Sequence, residues 1–314
     1  MVTDGGGAVK ALFQVRLAVV QSVRRFHHGQ FSPPELAAAK AASGASVTVC
    51  LPCRDEAATV APIVACLRSV LVPTGLVDEV LVVDDASSDE TAAVAARAGA
   101  RVVAAGAGPW GPGKGGAMWE GLRAAEGDIV VFCDADVVNF GPHFVTGLLG
   151  PLLADPALAL VKAFYDRPLD GVPGGGGRVT ELVARPVISL LFPHLSTVVQ
   201  PLAGECAGRR SALEQLPFTH GYGVELGLLI DLASRFGVGA LAQVDLGERI
   251  HRNRPLSELS GQATAVLRAA LDRAGTTDRS NWSALLLPGG EALPVAAGAH
   301  PPVASLEGYD RRSA

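Results

Sequence analysis

Asp128-Ile-Val-Val-Phe-Cys-Asp-Ala-Asp136 is the stretch of sequence that decides the fold. Its short, continuous apolar run is typical of a parallel strand that is buried on both faces of a sheet. Asp134 and Asp136 follow directly, at the edge where open α/β sheets bind ligands. Two carboxylates so placed can hold a hard cation through oxygen ligands. Although an isolated Asp-x-Asp is often only a solvated turn, its place after this strand favours the metal-binding interpretation.

Similar apolar runs alternate with helical stretches on both sides of this segment. We predict strands at residues 47–51, 79–84, 101–104, 158–164 and 240–246, and helices at residues 56–71, 89–98, 116–126, 178–191, 223–236 and 256–274. This alternation predicts an α/β fold whose mostly parallel sheet is covered by helices on both faces. The residues that follow the first strands, at 52–56, 84–88, 106–116 and 134–136, should converge at one edge of that sheet.

Composition excludes several classes of protein. The chain has 314 residues, of which 49% are hydrophobic and 18% charged, enough for a sizeable core. The formal net charge of −5 argues against a nucleic-acid-binding protein. The five cysteines are an odd number in apolar segments, which indicates a reducing cytoplasm. The apolar segment at 11–23 contains Arg16 and is too short to span a bilayer, so we expect no membrane association.

The loop Gly111-Pro-Gly-Lys-Gly-Gly116 is a second candidate site. It formally matches two phosphate-binding patterns, but Gly115 stands where the first pattern needs Ser or Thr. The second pattern requires the loop to follow the first strand, and here it follows the third. What remains is one cation, Lys114, beside a predicted helix N-terminus, which favours anion binding over a simple hinge.

Three motifs carry polar residues in the second half of the chain. Gly174-Gly-Gly-Gly-Arg-Val-Thr-Glu181 suits a phosphate pocket at a helix start as well as it suits a flexible linker. In Gly221-Tyr-Gly-Val-Glu225, the glutamate is either a site residue or a solvent-facing helix acid. His251 of His251-Arg-Asn-Arg254 can complete a metal site if this segment folds back to the paired aspartates, and is otherwise a surface residue.

Together these motifs resemble actinobacterial glucosyl-3-phosphoglycerate synthases and their mannosyl relatives, which are retaining GT-A glycosyltransferases. The resemblance covers roughly residues 30–275, and its most specific part is Gly175-Gly-Gly-Arg-Val-Thr-Glu-Leu-Val-Ala-Arg-Pro186. The other matching segments are Leu51-Pro52 with Glu56, residues 79–84, Pro112-Gly-Lys-Gly115, Asp128-Ile-Val-Val-Phe132, Asp134-x-Asp136, Leu160-Val-Lys162, Phe164-Tyr165, Gln200-Pro-Leu-x-Gly-Glu205, Gly221-Tyr-Gly-Val-Glu225 and His251-Arg-Asn-Arg-Pro255.

The resemblance implies a set of functional residues. Those expected to hold the nucleotide are Pro52, Glu56, Asp84, Lys114, Asp134 and Ala135. Those expected at a Mg²⁺ or Mn²⁺ ion are Asp136 and His251, with Asp134 beside them. Those expected at the acceptor, 3-phosphoglycerate, are Gly177, Arg178, Thr180, Tyr222 and Asn253. Glu225 would lie at the sugar or the acceptor hydroxyl, and Lys114 would stabilise the leaving diphosphate.

The expected domain organisation follows from the same motifs. We divide the chain into an N-terminal helical extension at residues 1–45, a nucleotide-sugar-binding GT-A half at 46–165, an acceptor-binding half at 166–280 and a flexible tail at 281–314. The resemblance also suggests a homodimer.

Several alternatives remain open at this point. Cys53-Arg54, Asp55-Glu56-Ala57 and Asp85 depart from the family pattern in the expected nucleotide pocket, which leaves the donor open between UDP-glucose and GDP-mannose. A sugar nucleotidyltransferase also combines a Gly/Lys loop with paired acids, although its loop normally follows the first strand. A non-catalytic nucleotide-sugar sensor would keep the fold without turnover.

Overall fold

One mixed sheet of eight strands organises the part of the chain that the computed structural model describes, residues 22–106, 113–169, 172, 174–250, 255–275, 284–286, 292–295 and 298–309. The strands among these residues are β1 (Arg24–His27), β2 (Val47–Cys53), β3 (Glu79–Asp84), β4 (Arg101–Ala104), β5 (Ile129–Phe132), β6 (Leu160–Asp166), β7 (Cys206–Arg209), β8 (Phe218–Thr219), β9 (Leu241–Glu248), β10 (Ala284–Leu286), β11 (Ala292–Pro294) and β12 (Ala299–His300). In the large sheet their order is β1-β9-β6-β7-β5-β2-β3-β4. Only β7 runs antiparallel to its neighbours in this sheet, which confirms the predicted α/β class.

Helices cover both faces of the sheet. They are α1 (Pro33–Ser43), α2 (Val60–Cys66), α3 (Thr91–Arg97), α4 (Lys114–Ala124), α5 (His143–Ala154), α6 (Arg185–Leu191), α7 (Arg210–Leu213), α8 (Val224–Phe236) and α9 (Leu256–Arg273). The central strand β5 shows why its sequence is apolar throughout, because Val130 and Phe132 belong to one core and Ile129 and Val131 to the other. Among the described residues, no helix is long and apolar enough to cross a membrane.

The two halves of the chain share the one sheet. Strand β7, from the predicted acceptor-binding half, lies between β5 and β6 and pairs with both. The predicted boundary near residue 165 therefore crosses a continuous sheet, and the carboxyl ends of strands from both halves reach the same region.

The structure differs from the predicted helical extension at residues 1–45. Arg24–His27 form β1, a strand at the edge of the sheet that pairs in parallel with β9. Its sequence, Arg-Arg-Phe-His, is largely exposed and has no apolar run, as is usual for an edge strand, so periodicity gave no sign of it. Within the described part of this segment, Pro33–Ser43 is helical.

The prediction of a flexible tail is wrong for residues 298–309. Ala299–His300 pair with β8, and the ring of His300 stacks on Trp119 of α4 at a centroid distance of 5.0 Å. The Trp119 indole donates to the carbonyl oxygen of Pro301 at 2.8 Å, and Val303 is fully buried. Burial of these few side chains, rather than any regular apolar period, holds the segment against the helix that begins at Lys114.

Candidate active site

A cleft of about 630 Å³ lies at the carboxyl ends of the central strands. It is lined by Pro52, Cys53, Arg54, Asp55, Glu56, Asp85, Gly113, Lys114, Ala117, Asp134, Ala135, Asp136, Arg167, Gly177, Arg178, Val179, Thr180, Leu202, Gly221, Tyr222, Glu225, Arg249, Leu259, Gln262 and Val266. Its walls therefore come from both predicted halves of the chain, and the ends of β2 and β5 meet there as the sequence predicts.

Lys114 is held at the N-terminus of α4 between two acids. Its Nζ lies 2.7 Å from Oδ1 of Asp134 and 2.8 Å from Oε1 of Glu225. Burial opposes the charge on Lys114, but the two carboxylates raise its pKa well above the ordinary value. The side chain is therefore a permanent cation, and it joins the Asp-x-Asp motif to the Gly221–Glu225 motif.

The glycines around Lys114 permit a close approach of backbone. An ideal Cβ on Gly115 would lie 1.9 Å from the carbonyl oxygen of Thr219, so the helix start and β8 can pack together only with glycine there. Gly113 has φ of 142°, and its N–H donates to Oδ1 of Asp85 at 2.9 Å. Fixed in this way, the loop positions Lys114 in the cleft.

Arg249 is a site residue that the sequence analysis missed. Its Nη2 lies 2.9 Å from Oδ2 of Asp134 and 2.7 Å from Oδ1 of Asp136, so it bridges the two aspartates. Its Nε donates to Oε1 of Glu205 at 2.8 Å. Arg249 directly follows β9, and extending the rule of strand ends to this strand would have marked it.

A buried acid, Glu205, accepts the hydrogen bond from Arg249 and fixes its position. Its side chain is fully buried, and the hydroxyl of Tyr165 donates to its Oε2. Next to it, Lys162 donates to the carbonyl oxygen of Ala203 at 2.8 Å, and burial lowers the pKa of this lysine. In the sequence, Lys162, Tyr165 and Glu205 lie in segments that match the family, but no motif there implies a role for them.

The two aspartates differ in how their charge is stabilised. Burial opposes ionisation of Asp134, but Lys114 and Arg249 hold its pKa well below the usual range. Burial raises the pKa of Asp136, which has Arg249 as its ion-pair partner and keeps 30% of its side chain exposed. Their carboxylate oxygens are ligands that fit a hard divalent cation. The described residues contain no group of three or more potential ligands, and the predicted third ligand, His251, lies outside them, as does Asn253.

The cleft brings together most of the predicted site residues. Those that line it are Pro52, Glu56, Lys114, Asp134, Ala135, Asp136, Gly177, Arg178, Thr180, Tyr222 and Glu225. Asp84 does not line it; its Oδ1 is buried and has no hydrogen-bond partner among the described residues. The neighbouring Asp85, noted only as a departure from the family pattern, lines the cleft instead.

Comparison with known proteins shows clear relatives. Residues 48–216 match the model of glycosyl transferase family 2. Glucosyl-3-phosphoglycerate synthase of Mycobacterium tuberculosis is 47% identical over 276 residues, which are 84% of this chain and 84% of that protein.

Solved structures of the same mycobacterial enzyme are similar along most of the chain. One, a complex with Mn²⁺, UDP-glucose and phosphoglyceric acid, is 44% identical with a TM-score of 0.81, covering 90% of this chain and 98% of that one. Another, with Mg²⁺ and UDP, has the same identity, TM-score and coverage.

Proposed function

Since the chain belongs to glycosyl transferase family 2, and within it to the glucosyl-3-phosphoglycerate synthases, we propose that it transfers glucose from UDP-glucose to the 2-hydroxyl of 3-phosphoglycerate with retention of configuration. The observation that carries this proposal is that one cleft is lined both by the paired aspartates with Lys114 and by Arg178 with Thr180. A donor diphosphate and a small anionic acceptor can therefore occupy adjacent positions.

The donor side of the cleft is suited to a nucleoside diphosphate. Asp134 and Asp136 would hold Mg²⁺ or Mn²⁺, with His251 as the expected third ligand. When bound, the cation neutralises the diphosphate as a leaving group. Lys114 adds a fixed positive charge at a helix N-terminus, where the developing negative charge is further stabilised. Pro52, Glu56 and Asp85 lie along the remaining donor wall.

The acceptor side is suited to a small dianion. Gly177 has φ of 75°, and the backbone then enters a π-helical turn at Thr180–Ala184, a feature often found at functional sites. Arg178 and the buried Thr180 line the cleft here, and Tyr222 lines it as well. We assign the phosphate of 3-phosphoglycerate to Arg178, with Asn253 as an expected further contact.

Glu225 and Lys114 would orient the reacting groups. Glu225 is 6% exposed, and its pairing with Lys114 keeps its carboxylate at the junction of the donor and acceptor walls. From there it can accept a hydrogen bond from a sugar or acceptor hydroxyl. Because positioning and stabilisation of the leaving group are sufficient for donor activation, no covalent nucleophile is assigned.

An assay of the purified protein tests this function. The protein is incubated with 3-phosphoglycerate and either UDP-glucose or GDP-mannose, with Mn²⁺, Mg²⁺ or EDTA. We expect glucosyl-3-phosphoglycerate from UDP-glucose only, and only with metal. Mannosyl transfer of equal efficiency would overturn the donor assignment, and release of pyrophosphate from a nucleoside triphosphate would indicate a nucleotidyltransferase.

Gly204 provides a test of the geometry around Lys114. An ideal Cβ at this position would lie 2.3 Å from Oδ1 of Asp134 and 2.5 Å from Nζ of Lys114. Gly204→Ala should push the ion pair apart and lower kcat/KM by roughly 10²-fold, the effect of a displacement of about 1 Å in an active site. The matched control is Gly261→Ala in α9, where the added Cβ meets no atom within 4 Å. Equal activity of the two variants would contradict the packing at Gly204.

We also infer that the enzyme is a homodimer. Leu182 and Leu190 are 72% and 80% exposed, and Leu256, on the adjoining helix α9, is 64% exposed. Exposed apolar side chains on helical segments that pack against each other support a contact with a second copy. Light scattering of the wild type and of Leu190→Glu tests this, and a wild-type monomer at micromolar concentration would refute it.

A cytoplasmic location is the remaining proposal. All five cysteines are free thiols, and Cys50, Cys53, Cys133 and Cys206 are buried, as expected in a reducing compartment. Fractionation of source cells is the direct test, and recovery of the protein in an extracytoplasmic fraction would contradict it.

A further inference from the structure

Arg167 lines the cleft without an acidic partner among the described residues. Three other cations that line the cleft do form ion pairs: Lys114 with Asp134 at 2.7 Å, Arg249 with Asp136 at 2.7 Å and Arg54 with Asp85 at 3.8 Å. Arg167 instead donates from Nη2 to the neutral hydroxyl of Tyr165 at 2.9 Å and stacks over the ring of that tyrosine at 4.9 Å. Its Nε is buried and has no hydrogen-bond partner among the described residues.

A guanidinium in this state is suited to an anionic ligand. Removing its donors from water carries a penalty unless hydrogen bonds or a counter-charge compensate for it. Buried polar groups are nearly always satisfied in native proteins, so an unpaired donor calls for a partner that the chain itself does not supply. A carboxylate fits best, since its two oxygens match the planar fork of arginine.

The position of Arg167 indicates that its anionic ligand is a group of the acceptor. Besides the main cleft, Arg167 lines a smaller cavity of about 150 Å³, and the two cavities share Arg167, Gly177 and Thr180. The N–H of Gly176 donates to the carbonyl oxygen of Arg167 at 2.9 Å. Arg167 is thus packed under the glycine segment that leads to Arg178, on the acceptor wall.

The contacts of Arg167 also show which end of the acceptor it faces. Its partner Tyr165 donates to Glu205, and Glu205 holds Arg249 against the paired aspartates of the donor side. Arg167 therefore lies on the donor-facing part of the acceptor wall. In 3-phosphoglycerate the carboxylate is bonded directly to the carbon that carries the reacting hydroxyl, whereas the phosphate is one carbon further away.

We propose that Arg167 binds the carboxylate of the acceptor while Arg178 binds its phosphate. The proposal rests on the function proposed above and makes that site more specific. With a guanidinium at each end of the glycine segment, the enzyme selects acceptors that carry both a carboxylate and a phosphate. Arg167 is then a residue that determines specificity for the acceptor acid.

Comparing the binding of 3-phosphoglycerate and glycerol 3-phosphate tests whether Arg167 contacts the carboxylate. Glycerol 3-phosphate keeps the phosphate and the 2-hydroxyl of 3-phosphoglycerate but lacks the carboxylate. Binding of each is measured by calorimetry in the presence of UDP and Mn²⁺. We expect Arg167→Gln to weaken 3-phosphoglycerate by roughly 10- to 100-fold, the effect of losing charge-assisted hydrogen bonds, and to leave glycerol 3-phosphate nearly unchanged. Arg178→Gln should weaken both ligands.

Controls separate loss of a contact from loss of structure. Arg97→Gln removes an arginine that is 65% exposed on α3, outside the cleft, and should bind both ligands as the wild type does. Arg167→Lys keeps the charge and should retain part of the discrimination between the ligands. Melting temperatures of all variants show whether the fold is preserved.

The remaining outcomes overturn the assignment. An equal loss for both ligands, or none, would show that Arg167 does not contact the carboxylate. A loss of UDP affinity with acceptor binding intact would place it on the donor side. If the wild type itself neither binds nor glucosylates 3-phosphoglycerate while keeping its affinity for UDP, the proposed function fails first and this proposal fails with it.

Discussion

Asp136→Ala is expected to abolish nearly all glucosyl transfer and to leave the fold intact. Asp136 follows the central strand β5, and its Oδ1 accepts from Arg249 at 2.7 Å. In the variant, Arg249 keeps its contacts with Asp134 and Glu205, so the walls of the cleft stay in place. The cleft nevertheless loses one of the two carboxylates that would hold the cation. A cation contributes several kcal/mol of charge stabilisation, so we expect a fall in kcat of roughly 10³-fold.

Two measurements and a matched control examine this expectation. Turnover is followed across a Mn²⁺ titration, and Mn²⁺ binding is measured separately by electron paramagnetic resonance. Asp155→Ala is the control, because Asp155 also pairs with an arginine, Arg24, at 2.7 Å and has the same 30% exposure of its side chain. It lies outside the cleft and should leave both measurements unchanged. Full activity or unchanged Mn²⁺ affinity in Asp136→Ala would exclude the assigned role.

The central fold was predictable because most of its strands can be recognised from the local sequence alone. Strands β3 and β4 occur at the predicted residues, 79–84 and 101–104, since each is a short apolar run followed by polar residues or a loop. Strand β7, Cys206–Arg209, was not predicted, because its sequence Cys-Ala-Gly-Arg lacks the β-branched residues that mark a strand. Its conformation depends on pairing with both β5 and β6, which lie far away along the chain.

Helix α5 was missed for a related reason. Nine of the twelve residues of His143–Ala154 are buried, so the helix shows no alternation of polar and apolar faces that a periodicity argument could use. Its interior Pro151 is a further signal against a helix.

Some residues of the candidate site were likewise recognisable from the sequence around them, whereas others depend on contacts between distant parts of the chain. Asp134 and Asp136 were recognisable because their spacing and the preceding strand are contiguous in the sequence. Arg249, by contrast, contacts Asp136, which lies 113 residues earlier in the chain, and the buried Glu205. Neither of these residues belongs to a short motif whose spacing implies its partners. Paired charges of this kind become visible only when the fold brings strand ends together.

Lys114→Met is the second change with a large expected effect. The variant leaves Asp134 and Glu225 facing the cleft without the cation that lies 2.7 and 2.8 Å from them. It also removes the fixed positive charge that would face the leaving diphosphate. Loss of one preorganised group that stabilises developing charge lowers kcat by roughly 10²- to 10³-fold, and we expect a fall in this range. Retention of Arg249 on Asp134 should keep the protein folded.

The matched control for Lys114→Met is Lys40→Met. Lys40 is also largely buried, and its Nζ lies 2.8 Å from Oδ2 of Asp78. That carboxylate accepts from the N–H of Val47 at the start of β2, which is the edge of the sheet opposite the cleft. Each variant loses a hydrogen-bonded ion pair whose lysine is largely buried, so both should melt at lower temperature. Only Lys114→Met should lose turnover at a temperature where both are folded. If kcat fell equally in the two variants, the effect of Lys114 would be one of stability, and its assignment to the departing diphosphate would have to be withdrawn.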